Sequence, residues 1–227
     1  MVTVKGISRV KKIIFAITLL SLSALQSEDA VVKKMVYEST TKGEAIQTLW
    51  NIHPKENQVV IKGIKKDKKI DIVYAPDFSL MEYTEKEGVD DSLFIEKVGP
   101  CLIVKSHQKG RDKILSHKIG EKPWVQEFTF GMQKFIGQKA KTFEFYIVYP
   151  KDLSMQEMVA TKEIVEEIEI LGKKHKTQRV KITLTGFKKQ FWKAQAWFDV
   201  DTGLLVQYRA NEGPRTPYTD IQILEGG

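Results

Sequence analysis

The chain has 227 residues, 36 Lys and Arg against 29 Asp and Glu, a formal net charge of +7 and one Cys. That length suits one domain of ordinary size, and 42% apolar residues are enough for a core, which excludes wholesale disorder. A single Cys excludes an internal disulfide framework and a Cys-cluster metal site.

Residues 1–12 carry Lys5, Arg9, Lys11 and Lys12 and no acid, and residues 13–25 form a short apolar run ending in small residues. Gln26, Ser27, Glu28 and Asp29 follow at once. A basic start, a short apolar centre and small residues near its end are the pattern of a secretory signal peptide. As a helix the apolar run spans roughly 20 Å, short of a ~30 Å hydrocarbon core, which favours a cleaved signal over a permanent anchor or a buried core helix. Residues 1–27 are therefore expected to be the signal peptide, and 28–227 a single β-rich domain. No Cys follows the apolar run, so no lipid-modified N-terminal Cys is expected. Removing 1–27 takes away four basic residues and no acidic one, leaving 32 against 29, a net +3. The expected location is outside the cytoplasm, periplasmic in a Gram-negative host and secreted otherwise.

Beyond residue 28 the apolar pattern has period two. Ile70, Ile72 and Tyr74 alternate with Asp71 and Val73, and the turn-like stretch 65–69 separates this run from Val59–Ile64. Cys101 follows Gly99-Pro100 and reads as a strand-start thiol packed as a small hydrophobe. Phe143, Phe145, Ile147 and Tyr149 alternate with Glu144, Tyr146 and Val148, and Pro150 then stops the strand. Residues 154–171 place Met155, Met158, Val159 and Lys162 at helical spacing before an alternating half, which predicts a short helix or loop feeding a strand. Val180, Ile182 and Leu184 alternate again. So do Trp192, Ala194, Ala196 and Phe198, then Leu204, Val206 and Tyr208, and finally Ile221 and Ile223. β-branched and aromatic residues at this period predict half-buried strands, and short polar turns between them predict antiparallel pairing. The expected fold is mainly β: a single curled antiparallel sheet or open barrel, a β-meander with few helices.

Motifs of catalysis are missing. His53, His107, His117 and His175 stand in polar or turn-like contexts without metal-ligand spacing. Asp199-x-Asp201-x-Gly203 starts like a calcium loop, but its twelfth position is Ala210 where a bidentate Glu would be needed, so a hairpin turn is expected. There is no G-x-S-x-G and no phosphate-binding glycine loop. Glu166, Glu167 and Glu169 read as a solvated strand face. No metal and no cofactor are expected. The basic clusters at 62–69, at 173–181 and at Lys188-Lys189 beside Phe191 and Trp192 fall on turns and edges, where Lys discourages edge-to-edge pairing. Weak contact with anionic headgroups at a membrane surface is compatible with them, whereas nucleic acid is not expected of an exported chain of nearly balanced charge.

Aromatic residues are the remaining signal. Trp50, Phe78, Tyr83, Trp124, Phe128, Phe130, Phe143, Phe145, Trp192, Trp197 and Phe198 recur on strand patterns. They read as core, or as the wall of a concave apolar pocket.

The run Phe191-Trp192-Lys-Ala-Gln-Ala-Trp197-Phe198-Asp199-Val-Asp-Thr-Gly203-Leu-Leu-Val-Gln-Tyr208, with the hairpin at 163–186 before it, resembles the closing part of uncharacterised exported bacterial proteins. Those proteins are related in fold to periplasmic lipoprotein carriers of the Lol type. The resemblance covers about the last 65 residues. It implies a curled, open antiparallel barrel and, for the carriers, a hydrophobic cavity that shields acyl chains.

Together these readings lead to an exported, non-enzymatic envelope protein binding a lipid or lipoprotein acyl chain, with Phe128, Phe130, Phe143, Phe145, Trp192 and Trp197 as the expected apolar lining. The alternatives are an exported interaction module with a fully packed core and, third, an envelope hydrolase without a recognisable motif.

Overall fold

The structure, a computed structural model, describes residues 33–187, 192–211, 213 and 216–226. The expected signal peptide at 1–27, Lys188, Lys189 and Phe191 lie outside the described residues. Eight strands come first: β1 (Lys33–Thr41), β2 (Glu44–Lys55), β3 (Gln58–Lys65), β4 (Lys68–Tyr74), β5 (Leu80–Glu87), β6 (Asp91–Val98), β7 (Cys101–Gln108) and β8 (Arg111–Lys118). Two short helices follow, α1 (Phe128–Gly131) and α2 (Gln133–Gly137). Six more strands complete the chain: β9 (Thr142–Val148), β10 (Met155–Ile170), β11 (Lys173–Leu184), β12 (Lys193–Asp199), β13 (Leu205–Asn211) and β14 (Tyr218–Gly226).

All fourteen strands form one antiparallel sheet in the order β8-β7-β6-β5-β4-β3-β2-β1-β14-β13-β12-β11-β10-β9. It consists of two meanders, β1 to β8 and β9 to β14, joined where β1 pairs with β14. The sheet is not closed into a barrel; β8 and β9 are its two edges. Tight turns set the register. Lys42-Gly43, Lys109-Gly110 and Leu171-Gly172 are two-residue loops with both φ values positive, the turn whose twist matches that of antiparallel strands. The 199–203 segment is also a hairpin turn, as expected. Asp199 Oδ1 accepts from the Thr202 amide at 2.8 Å and from its hydroxyl at 2.9 Å, and Gly203 takes φ +69°.

Alternation puts Ile70, Ile72 and Tyr74 of β4, and Ala194, Ala196 and Phe198 of β12, in one core. The sequence expectation for 154–171 needs correction. Met155–Ile170 is one 16-residue strand, with Met158 and Ala160 buried. Its pairing with β11 slips between Lys162 and Val165. Before that slip the strand pairs with β9 in unbroken register from Met155 to Thr161. Buried Met158 and Ala160 there alternate with apolar Val159, and apolar residues on both faces leave a helix-like spacing in the sequence. A second correction concerns Phe128 and Phe130, which lie on or beside a four-residue helix rather than on a strand.

The helices lie in the hollow of the sheet. Ring pairs join Phe130 to Trp50 of β2 at 5.3 Å between centroids, and Phe128 to Phe145 of β9 and Tyr208 of β13 at 6.0 Å each. Gly131 packs near the Tyr74 hydroxyl of β4. Strands β4 and β9 are nine intervals apart, about 43 Å along a flat sheet at ~4.8 Å per strand. One helical turn touches both only because the sheet wraps around it.

Candidate functional site

The connection 119–141 between the two meanders organises the interior. Val125 N–H donates to the Tyr146 carbonyl at 2.8 Å, and Tyr146 N–H to the Pro123 carbonyl at 2.9 Å, so the incoming chain pairs with edge strand β9. The Gln126 amide extends this pairing: Nε2 donates to the Val148 carbonyl at 2.9 Å and Oε1 accepts from its N–H at 3.2 Å. Lys122 pairs with Glu144 at 3.0 Å and with Glu157, which raises the pKa of its ammonium. At the far end Lys162 of β10 donates to the Ile136 carbonyl at 3.0 Å and to the Gln138 carbonyl, with its Nζ 4.8 Å from the Phe135 ring centroid. These bonds satisfy carbonyls at the end of α2 that have no helical partner. The other edge also meets the fold, because His117 Nε2 donates to the Leu153 carbonyl at 3.0 Å.

A cleft of about 460 Å³ remains beside this connection. Its apolar wall is Phe78, Leu80, Met81, Trp124, Phe135 and Phe143, and its polar rim includes Lys97, Glu121, Lys134 and Gln138. That volume lies within the ~300–1,000 Å³ typical of small-molecule sites. Met81 is 47% exposed, a large apolar side chain open to solvent. Trp124 is buried, and its indole N–H has no hydrogen-bond partner among the described residues. The Tyr74 hydroxyl, next to Gly131, is likewise buried without one. Lys134 ties α2 to the β4–β5 turn through Asp77 at 2.6 Å. Lys134, with bonds from Ser79, holds the Asp77 carboxyl down at about 2. The cleft lining contains no His or Cys.

A second, smaller cavity of about 240 Å³ lies under the β3–β4 turn. Tyr37, Ser39, Thr48, Trp50, Lys65, Lys68, Tyr83, Glu85, Glu127 and Thr129 are among the residues around it. Glu127 caps α1: its Oε1 accepts from the Thr129 amide at 3.1 Å and from the Thr129 hydroxyl at 2.7 Å. Glu127 is half-buried, and the removal of its carboxyl from water raises its pKa above the usual 4.5.

Of the six expected lining residues, Phe143 reaches the wall of the larger cleft. Phe130 and Phe145 are fully buried within the aromatic core, and Phe128 and Trp192 pack against that core. Trp197 alternates with buried Ala196 and Phe198, so it stands on the opposite face. There its indole N–H donates to Glu166 at 2.8 Å, and Arg179 pairs with Glu163 at 2.9 Å and Glu166 at 3.3 Å. Glu166 is thus an acceptor in a surface network. His53 is buried in β2 rather than in a polar turn, and its Nδ1 has no partner among the described residues. Cys101 does start a strand, but it is half-buried rather than sealed. Met81, Thr48 and Glu127 carry no functional motif in the sequence, and Lys65 stands there only as part of the basic cluster 62–69. The one local signal was Glu127-x-Thr129 ahead of an apolar pair, a capping pattern.

No protein-family model matches the chain, and no curated protein matches it. Among solved structures, a β-barrel-like protein of the domain of unknown function DUF1849 from Brucella abortus is similar over 86% of this chain and 96% of its own. Its TM-score is 0.59 at 10% identity. The hypothetical lipoprotein YmcC from Escherichia coli aligns over 92% of this chain and 96% of its own, with a TM-score of 0.38 and 12% identity. A DUF1329 family protein from Desulfovibrio piger aligns over 93% and 91%, with a TM-score of 0.27 and 11% identity. No Lol-type carrier is named among these three. What the chain shares with the first is its fold, a curled β-rich architecture of a bacterial protein.

Proposed function

We propose that this is an exported, non-enzymatic protein of the bacterial envelope that holds an apolar ligand, the acyl chain of a lipid or lipoprotein, in the cleft beside α2. The observation that carries this reading is the open apolar wall of that cleft, with half-exposed Met81 beside Phe78, Phe135 and Phe143. Each Å² of apolar surface removed from water there contributes roughly 25 cal/mol. Exposed Lys97 on the rim suits an anionic headgroup at a membrane surface. Export rests on the basic and apolar pattern of residues 1–25.

The test is to purify the protein from its host envelope fraction, sequence its N-terminus, extract it with organic solvent and analyse the extract by mass spectrometry. The expected result is a new N-terminus near residue 28 and co-purified lipid. That lipid should be lost in Met81→Asp, a change at a half-exposed position that leaves the core intact. An extract without lipid would overturn the ligand reading. It would favour a protein-interaction module instead, a second reading supported by the sealed core at Phe130 and Phe145.

A further inference from the structure

The cavity around Glu127 has a chemistry of its own, distinct from that of the apolar cleft. Most of its polar groups are already committed. Lys68 pairs with Glu85 at 2.7 Å and Glu87 at 3.2 Å, the Tyr83 hydroxyl donates to Glu85 at 2.7 Å, and the Tyr37 hydroxyl donates to the Leu205 carbonyl at 2.7 Å. Four groups are not. Among the described residues Lys65 has no ion-pair partner, and the second oxygen of Glu127 takes no hydrogen bond. The hydroxyls of Ser39 and Thr48 have no protein partner there either, although Thr48 is only 7% exposed. The Thr48 hydroxyl is not among the sealed polar atoms and lines the cavity, so it faces water or a ligand there.

Lys65 and Glu127 have opposite sign and feel each other's charge across the cavity, but they make no ion pair. Lys65 stands at the rim, since it also lines the shallow surface pocket formed with Lys66, Asp67, Lys68 and Glu87. Glu127, half-buried, lines the same cavity with buried Trp50, Tyr37 and Tyr83. An anion alone would leave Glu127 unpaired, and a cation alone would leave Lys65 unpaired. A molecule with both charges satisfies each, and Thr48 and Ser39 can bond its polar atoms between them. At about 30 Å³ per water the 240 Å³ cavity holds roughly eight waters, which limits the occupant to a small molecule. We propose that this cavity is a second binding site, for a small zwitterion whose protonated amine meets Glu127 and whose carboxylate meets Lys65.

Isothermal titration of the purified protein with glycine, β-alanine and 4-aminobutyrate tests this. Ethylammonium and acetate serve as single-charge controls, and glycerol as a neutral one. At least one zwitterion should bind at millimolar concentration or better, and about tenfold more tightly than any control. Glu127→Gln and Lys65→Met should each weaken that binding by about tenfold. Met81→Asp, in the apolar cleft, should leave it unchanged, so this proposal and the acyl-chain reading fail separately. Lys65 lies at the rim, so its replacement leaves the fold intact even if Glu127→Gln does not. The proposal is overturned if a control binds as tightly as the best zwitterion, if Lys65→Met binds like the parent, or if no zwitterion binds and the cavity holds water only.

Discussion

Gly63 shows how a single position sets the interior. It lies opposite Trp50 in the β2–β3 ladder with ordinary extended backbone. A Cβ added there would sit 2.4 Å from the Trp50 ring. Trp50 in turn packs edge-on against Phe130 of α1. Gly63→Ala should therefore push a buried indole off its seat and destabilise the protein by about 1–3 kcal/mol, measured by urea unfolding. Glu127 gives a pH-dependent test at the same scale. Its pKa is raised in the folded state, so the native protein holds that proton more tightly than the unfolded chain. Its favourable contribution is complete below the ordinary carboxyl pKa and is lost as pH rises through the raised value. The melting temperature of Glu127→Gln, relative to the parent, should climb as pH rises from the ordinary carboxyl pKa through the raised one. A flat or falling difference would mean that the carboxyl is not held in a dry setting.

At the scale of elements, the connection carrying α1 and α2 is held by side chains from several strands rather than by helix propensity. Four- and five-residue helices have too little length to be stable alone. Phe130→Ala should cost about 3–5 kcal/mol by urea unfolding, because it empties the space between Trp50 and the rest of the core. Lys162→Met removes both bonds to the carbonyls at the end of α2 while keeping the side chain's bulk. Hydrogen exchange should then accelerate at residues 133–138 and stay unchanged in β3 and β4. The strands were legible in the sequence where alternation ran unbroken, as in β4 and β12. The first half of β10 was not, because apolar Val159 stands on the face opposite buried Met158 and Ala160, and apolar residues on both faces blur the two-residue period. The helices were not legible either. Phe128 and Phe130 are two apart and imitate a strand, and one helical turn is too short to show a 3.6-residue period.

At the scale of the molecule, fourteen strands curl around a segment of their own chain. Wrapping turns most of the expected lining into core and moves the open apolar surface to the flank of α2. The sequence made the curled, open sheet readable through period and turn spacing. It could not reveal which sheet face is concave, since alternation is symmetric between faces; Trp192 and Trp197 were both read as lining, yet Trp197 is on the surface beside Glu166. Nor could it reveal the two cavities, which arise from residues far apart in the chain, such as Met81 and Phe143 or Lys65 and Glu127.

The most direct measurement is fluorescence quenching by a fatty acid brominated along its acyl chain. An acyl chain in the cleft beside α2 brings bromine against Trp124 and leaves Trp197 untouched. Saturable quenching of the parent protein is expected, lost in Trp124→Phe and in Met81→Asp and retained in Trp197→Phe. No quenching, or quenching that survives both changes in the cleft, would contradict it.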